Sequence, residues 1–184
     1  MNTVKIDKKN CRMIAHRGVS GLEKENTCAA FVAAGVKTYY GIETDVHVTA
    51  DGEYFIFHDD NMKRIAGVDM DIERSTAEQL RAVRMPDTDG KTFRSDLVVP
   101  ALKDYISICG KYDKTAVLEL KNPMERKHVL NIAALVKDMG WLDRTIFISF
   151  AKENLVTLRE EYKDADLQFL TGEASDENFE FMKR

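Results

Sequence analysis

Short apolar runs alternate with amphipathic stretches along most of the chain, and the two periodicities separate strands from helices. Residues 12–15 ("RMIA") are a brief apolar run that ends at His16-Arg17-Gly18, a strand leading into a loop. Residues 26–34 ("NTCAAFVAA") have helical spacing, with Ala30, Phe31 and Ala34 on one side. Asn26 or Thr27 is placed to cap that helix and Gly35 to end it. Residues 39–49 alternate like a strand, Asp51-Gly52 signals a two-residue hairpin turn, and residues 53–58 form the return strand.

Residues 61–99 are polar and turn-rich, with one short helical stretch at 77–83. A helix is predicted to open at Pro100, a favoured early helical position. Strand-like runs follow at 115–121, 145–150 and 167–171, separated by helical patterns at 125–139 and 152–162. Strands alternating with helices point to a parallel α/β sheet. No repeat or linker interrupts the 184 residues, which predicts a single domain with a hydrophobic core of ordinary size.

Composition narrows the class. Apolar residues make up 44% and charged residues 32%, values of a folded globular protein without low-complexity tracts. With 27 basic against 31 acidic residues the net charge is -4, which argues against nucleic acid as a partner. A single phosphate needs only one or two cations and stays compatible with that charge. Cys11, Cys28 and Cys109 are odd in number and widely spaced, so neither a disulfide framework nor a zinc knuckle is expected. The N-terminal stretch mixes charges among its apolar residues and offers no apolar leader, and no segment has the length of a membrane span. The expectation is a reduced, cytoplasmic protein.

The hairpin carries the chemistry. Side chains alternate faces along a strand, so Glu43 and Asp45 project the same way. A two-residue turn pairs Ala50 with Glu53 and sets Asp45 opposite His58, on one face with Cβ atoms about 5 Å apart. A one-residue slip of register would turn His58 away. Two close carboxylates repel unless a cation neutralises them, and a hard divalent ion such as Mg²⁺ or Ca²⁺ suits oxygen ligands. "LELK" repeats the pattern, with Glu119 and Lys121 sharing a face and Glu119 offering a third carboxylate. His16, following another strand, belongs to the same C-terminal rim, where parallel α/β folds place their sites.

A lone Glu-x-Asp on a strand is more often a solvated face, and Glu119 with Lys121 reads equally as a plain charge pair. Four polar clusters at the ends of four apolar runs weigh against that combination. His47 shares the parity of Asp45 but lies toward the turn, which argues against it as a further ligand. His128 sits among charges on a helix and reads as solvated.

Taken in order, "AHRG", "ENT", "ETDVHVTADGEYFIFHDD" and "LELK" resemble the glycerophosphodiester phosphodiesterase family. The resemblance is dense over residues 13–121 and looser over 145–171. It implies a TIM-type (β/α)8 barrel with its site at the C-terminal mouth. It implies metal-dependent hydrolysis of a small-molecule glycerophosphodiester to an alcohol and sn-glycerol 3-phosphate. His16 and His58 would be the general acid and base, and Glu43, Asp45 and Glu119 would hold Ca²⁺ or Mg²⁺. Arg17 and Lys121 would bind phosphate, and Glu25 and Asn26 would brace the first loop.

Two features depart from the family pattern. Lys24 stands where proline usually precedes Glu-Asn-Thr. A full barrel has eight strands and about 250 residues, whereas five barrel strands are legible here, ending near Ala15, Asp45, Lys121, Phe150 and Thr171. The expectation is a single catalytic domain over 1–184 truncated after about five barrel strands, with open sheet edges that favour self-association. Two further readings follow: a catalytically incomplete phosphate- or metal-binding fragment needing a partner chain, and a lysophospholipase D-like hydrolase.

Overall fold

The computed structural model describes residues 9–183; residues 1–8 of the N-terminal stretch read for a leader lie outside the described residues. Five parallel strands form the sheet: β1 (Ile14–Ala15), β2 (Gly41–Val48), β4 (Thr115–Leu120), β5 (Thr145–Ser149) and β6 (Asp166–Phe169). They are adjacent in chain order, and β3 (Tyr54–Ile56) adds an antiparallel partner to β2 off that path. Connections run through α1 (Cys28–Gly35), α4 (Leu102–Lys111), α5 (Arg126–Asp138) and α6 (Lys152–Glu161). Three shorter helices, α2 (Lys63–Ala66), α3 (Ala77–Ala82) and α7 (Asp176–Met182), and a 3-10 turn at Leu142–Arg144 complete the described fold. A strand–helix alternation in which each strand pairs with the next is the wall of a TIM-type barrel, present here as five strands.

Strand parity sorts the chain into two faces. Ile42 and Val46 of β2, Ala116, Leu118 and Leu120 of β4, and Phe147 of β5 pack with Phe31, Tyr105, Ile132 and Val136 of the helices in the main core. The ring of Phe31 meets Tyr105 edge-on at 5.1 Å, and the Tyr105 hydroxyl donates to the Ile42 carbonyl at 2.7 Å. The other face carries Glu43, Asp45, Val117 and Glu119, aligned across β2 and β4 by their register. Like TIM-barrel strands generally, these are buried on both faces, which is why β2 and β4 show no solvated side.

The segment between β3 and α4 departs from its polar, turn-rich reading. It closes over a second core of Phe55, Phe57, Met62, Ile72, Leu80, Met85 and Leu97. Its apolar residues are too irregularly spaced to register as an element, yet they collapse onto the outer strand β3. The predicted helix start at Pro100 also shifts: α4 begins at Leu102, because the Pro100 carbonyl accepts from Ile56 N–H and holds that residue to β3. The helix is capped instead by the Asp104 carboxylate, which accepts from Ala101 N–H at 3.0 Å. Of the cysteines, Cys11 is exposed, Cys28 half-buried and Cys109 buried, and all are free thiols. Among the described residues no helix is long and apolar enough to cross a membrane.

The hairpin register differs by one residue from the two-residue turn. Val46 faces Ile56, so Thr49 faces Glu53 and Asp45 faces Phe57 rather than His58. Thr49 decides this. Its hydroxyl donates to Asp51 at 2.6 Å and accepts from Glu53 N–H at 2.9 Å, closing a three-residue loop over Ala50–Gly52. Gly52 takes the left-handed conformation (φ 83°) that such a loop requires.

At the start of β2, Gly41 leaves no room for a side chain. A Cβ there would lie 2.6 Å from the Thr115 carbonyl oxygen and 3.0 Å from Ile14 Cδ1. Relief would require shifting β4 against β2. Gly41→Ala is therefore expected to destabilise the fold by about 1–3 kcal/mol, read as a lower urea midpoint; an unchanged midpoint would contradict this packing.

Candidate active site

The C-terminal ends of β1, β2 and β4 meet in one patch. Asp45 and Glu119 are register partners on neighbouring parallel strands, and Glu43 lies one pleat back on the same face. One carboxylate oxygen from each of the three falls within 4.8 Å of the others, and all three residues are buried. The sequence showed that Glu43 and Asp45 share a face; only the β2–β4 register sets Glu119 beside them.

Neighbouring groups hold each acid. Arg17 N–H donates to Glu43 Oε2 at 2.8 Å. The Asn26 side chain donates to Asp45 Oδ2 at 2.8 Å and accepts from the Thr44 hydroxyl at the same distance. Lys121 Nζ sits 2.9 Å from Glu119 Oε1 and 3.7 Å from Asp45 Oδ1. That leaves Asp45 Oδ1 buried without a hydrogen bond. An ionised carboxylate oxygen in that condition is costly, and a cation is the species that satisfies it. The donor set of three carboxylates matches the preference of Mg²⁺ or Ca²⁺ for hard oxygen ligands.

The electrostatics carry the same signature. Burial first, and the neighbouring Asp45 second, push the Glu43 carboxyl up to about 8 from its ordinary 4.5. Glu119 is also raised, chiefly by burial, although Lys121 opposes the shift. Both directions describe a crowded acidic pocket short of positive charge.

The first loop brings His16 and Arg17 to the same rim. Asn26 N–H donates to the Arg17 carbonyl at 3.1 Å, folding the loop back over the end of β1. Arg17 has φ 54°, a left-handed backbone seldom adopted by a long side chain and costing about 1–3 kcal/mol where it occurs. This turn directs the Arg17 N–H to Glu43 while its guanidinium is held by Glu25, Nη1 to Oε1 at 2.9 Å. Arg17 Nε is buried without a hydrogen bond and lies 3.9 Å from Asp45 Oδ2. His16 is 70% exposed at its side chain, with Nε2 3.9 Å from Glu43 Oε2. Partial burial, then the charge of Arg17, lowers its pKa from 6.5, and the charge of His58 adds to that lowering.

His58 reaches the rim by a different route from the predicted one. β3 ends at Ile56, so strand parity does not govern His58 two residues later. Its ring is fixed by Asp59, Nδ1 to Oδ1 at 2.7 Å, and is one-third exposed. His47 stands apart from the acidic group; its fully buried ring is bound through Nδ1 to Glu73 at 3.0 Å. The predicted solvated His128 is half-buried, with Nδ1 3.2 Å from the Tyr54 hydroxyl, because α5 packs its first turn against the hairpin.

Residues that sequence reasoning passed over are Asp59, Arg64 and Asn122. Arg64 binds Asp59 and Glu25 together, and Asn122 ties the loop after β4 to Asp60 and Glu73. All three depend on loops meeting in space. The one local signal is the Asp that follows His58 directly.

The Glu43 shift has a sign for stability. An acid whose folded-state pKa is raised binds its proton more tightly in the folded protein than in the unfolded chain. Below about 4.5 both states hold the proton and there is no penalty; as pH climbs toward about 8 the penalty grows, and above that it is complete. In protein freed of divalent ions by EDTA, urea stability is expected to fall across this window. Glu43→Gln should flatten the decline, and parallel curves for the two proteins would count against the shift.

The chain matches the glycerophosphoryl diester phosphodiesterase family over residues 16–180. It is 31% identical to the Bacillus subtilis protein YqiK over 149 residues, covering 78% of this chain and 60% of that one. It is 29% identical over 159 residues to a glycerophosphodiester phosphodiesterase of Caldanaerobacter subterraneus, covering 83% and 62% of the two chains. Its fold superposes with a TM-score of 0.80 on a phosphodiesterase from Oleispira antarctica solved with its product, sn-glycerol 3-phosphate. That match is 24% identical and covers 94% of this chain and 71% of the other. The chain thus spans about three-fifths of the length of the curated relatives it matches first. With a parallel barrel wall, a rim of three acids and two histidines, and a family match across nearly its whole length, the chain belongs to the glycerophosphoryl diester phosphodiesterase family.

Proposed function

We propose that the chain is a catalytic unit for metal-dependent hydrolysis of glycerophosphodiesters, releasing an alcohol and sn-glycerol 3-phosphate. The observation that carries this reading is the convergence of buried Glu43, Asp45 and Glu119, with Asp45 Oδ1 lacking a hydrogen bond, in a member of this family. Among the described residues it is the one such group of three ligand-bearing side chains. These residues would hold a divalent cation, Ca²⁺ or Mg²⁺, which when bound supplies charge stabilisation for the phosphoryl oxygens.

The remaining work falls to side chains of the chain itself. A phosphodiester resists hydrolysis because its anionic oxygens repel nucleophiles and an alkoxide leaves poorly. Arg17 and Lys121 flank the acids and offer cations to those oxygens, Arg17 through a planar fork suited to two oxygens at once. The imidazoles of His16 and His58 divide proton transfer: one accepts the proton of the attacking nucleophile, either water or a glycerol hydroxyl whose cyclic phosphate water then opens, and the other donates to the departing oxygen. The lowered pKa of His16 leaves its ring neutral near pH 7 and able to accept. Asn26 and Glu25 position the first loop, Asn26 through Asp45 and Thr44, Glu25 through Arg17.

Glycerophosphocholine is the direct substrate test. Turnover is expected to vanish with EDTA and return with added Ca²⁺ or Mg²⁺. His16→Ala and His58→Ala should each lower kcat by about 10²–10⁴-fold without moving the melting temperature. EDTA-resistant turnover would reject the cation's role. Cleavage of lysophospholipids in preference to glycerophosphodiesters would transfer the chain to the lysophospholipase D reading.

A further inference from the structure

His16 with Arg17 and His58 arrive at the rim on two separate loops, one after β1 and one after β3, and one side chain bridges them. Arg64, in the single-turn helix α2, donates from Nε to Asp59 Oδ2 at 2.6 Å and from Nη2 to Asp59 Oδ1 at 2.9 Å. Its other edge donates to Glu25, from Nη1 to Oε2 at 3.1 Å and from Nη2 to Oε1 at 2.8 Å. Each carboxylate then holds a residue of the site: Asp59 Oδ1 lies 2.7 Å from His58 Nδ1, and Glu25 Oε1 accepts from Arg17 Nη1 at 2.9 Å. The result is an unbroken line, His58–Asp59–Arg64–Glu25–Arg17, joining the two loops.

We propose that Arg64 is a positioning residue that locks the loop carrying His58 to the loop carrying Arg17, fixing the imidazole and the guanidinium relative to one another. This rests on the hydrolase reading, since that reading gives His58 and Arg17 their roles. A guanidinium suits the task because its rigid plane presents donors on two edges, so one cation serves two carboxylates bidentately. Lysine has one point charge and cannot reproduce both forks. Without Arg64, Asp59 and Glu25 would face each other with no cation between them, a repulsion that drives the loops apart. The carboxyl of Asp59 is held down to about 2, first by Arg64 and then by His58, consistent with an acid that stays ionised in this line. An ionised carboxylate only accepts, so the neutral His58 ring must carry its proton on Nδ1, leaving the Nε2 lone pair for the substrate side.

Arg64 is half exposed at its side chain, so its removal leaves both cores intact. The test compares the full chain with Arg64→Met and Arg64→Lys by ¹⁵N NMR of His58, at a pH where the ring is neutral. The unsubstituted protein should show the Nδ1–H tautomer. Arg64→Met, by releasing Asp59 from the anchor that holds it against the ring, should move it toward Nε2–H, the form a histidine without a fixed acceptor favours. With glycerophosphocholine, kcat should fall about 10–100-fold with KM within about threefold, and Arg64→Lys should recover only part of either readout. The tautomer needs no turnover, so an inactive parent chain would sink the hydrolase reading and still leave the lock decided by NMR. Nδ1–H retained in a folded Arg64→Met variant would overturn the proposal. If Arg64→Met fails to melt cooperatively, Arg64→Lys decides: the parent's tautomer and rate, kept in full, would overturn it equally.

Discussion

Parallel pairing of β2 with β4 brings Asp45 and Glu119 side by side on a buried face, and the architecture of the site follows from that adjacency. Like charges at such range, with little water to screen them, cannot both remain ionised without local compensation. The chain supplies some of it through Lys121, the Asn26 amide and the Arg17 backbone N–H, each attached to one of the three acids. It does not supply all of it. Glu43 keeps its proton to about pH 8, and one oxygen of Asp45 stays without a hydrogen bond. That deficit is the physical basis of the proposed cation site.

The barrel wall makes the deficit tolerable. Phe31, Tyr105, Ile132 and Phe147 pack the helical side of the same strands, and that apolar burial outweighs the cost of three acids on the other side. Rigidity follows as well: the Tyr105 hydroxyl on the Ile42 carbonyl and the close approach of Gly41 to Thr115 hold β2 against β4 with little freedom to slide. The second core does comparable work for the histidine rim. By burying Phe57 and Met62 on either side of His58, it fixes where the chain leaves β3, and the polar line through Arg64 then ties that exit to the first loop.

Much of this was legible in the sequence. Alternation located β2, and short apolar runs between helical patterns located β4 and β5, as expected of strands buried on both faces. The "ETD" and "LELK" segments named the acids, and "AHRG" and "HDD" named the histidines, because charged residues at the ends of apolar runs are hard to explain as core. The hairpin misled by one residue. Asp-Gly is compatible with two- and three-residue turns, and the choice fell to the Thr49 hydroxyl, whose bond to Glu53 is invisible to a turn propensity. α7 escaped notice for a similar reason: it is a short helix of seven residues with no buried face to give it a period.

From residue order alone came the strand–helix alternation, the identity of the acids and histidines, and the parity that aligns Glu43 with Asp45. Those properties are local, set by neighbours two to four positions away. Tertiary structure alone decided that Glu119 stands beside Asp45, that His58 leaves the strand before parity can turn it inward, and that Arg64 joins its own loop to Glu25, 39 residues away. Each of these depends on register or packing between distant segments, where free energy comes from contacts that no short window of sequence contains.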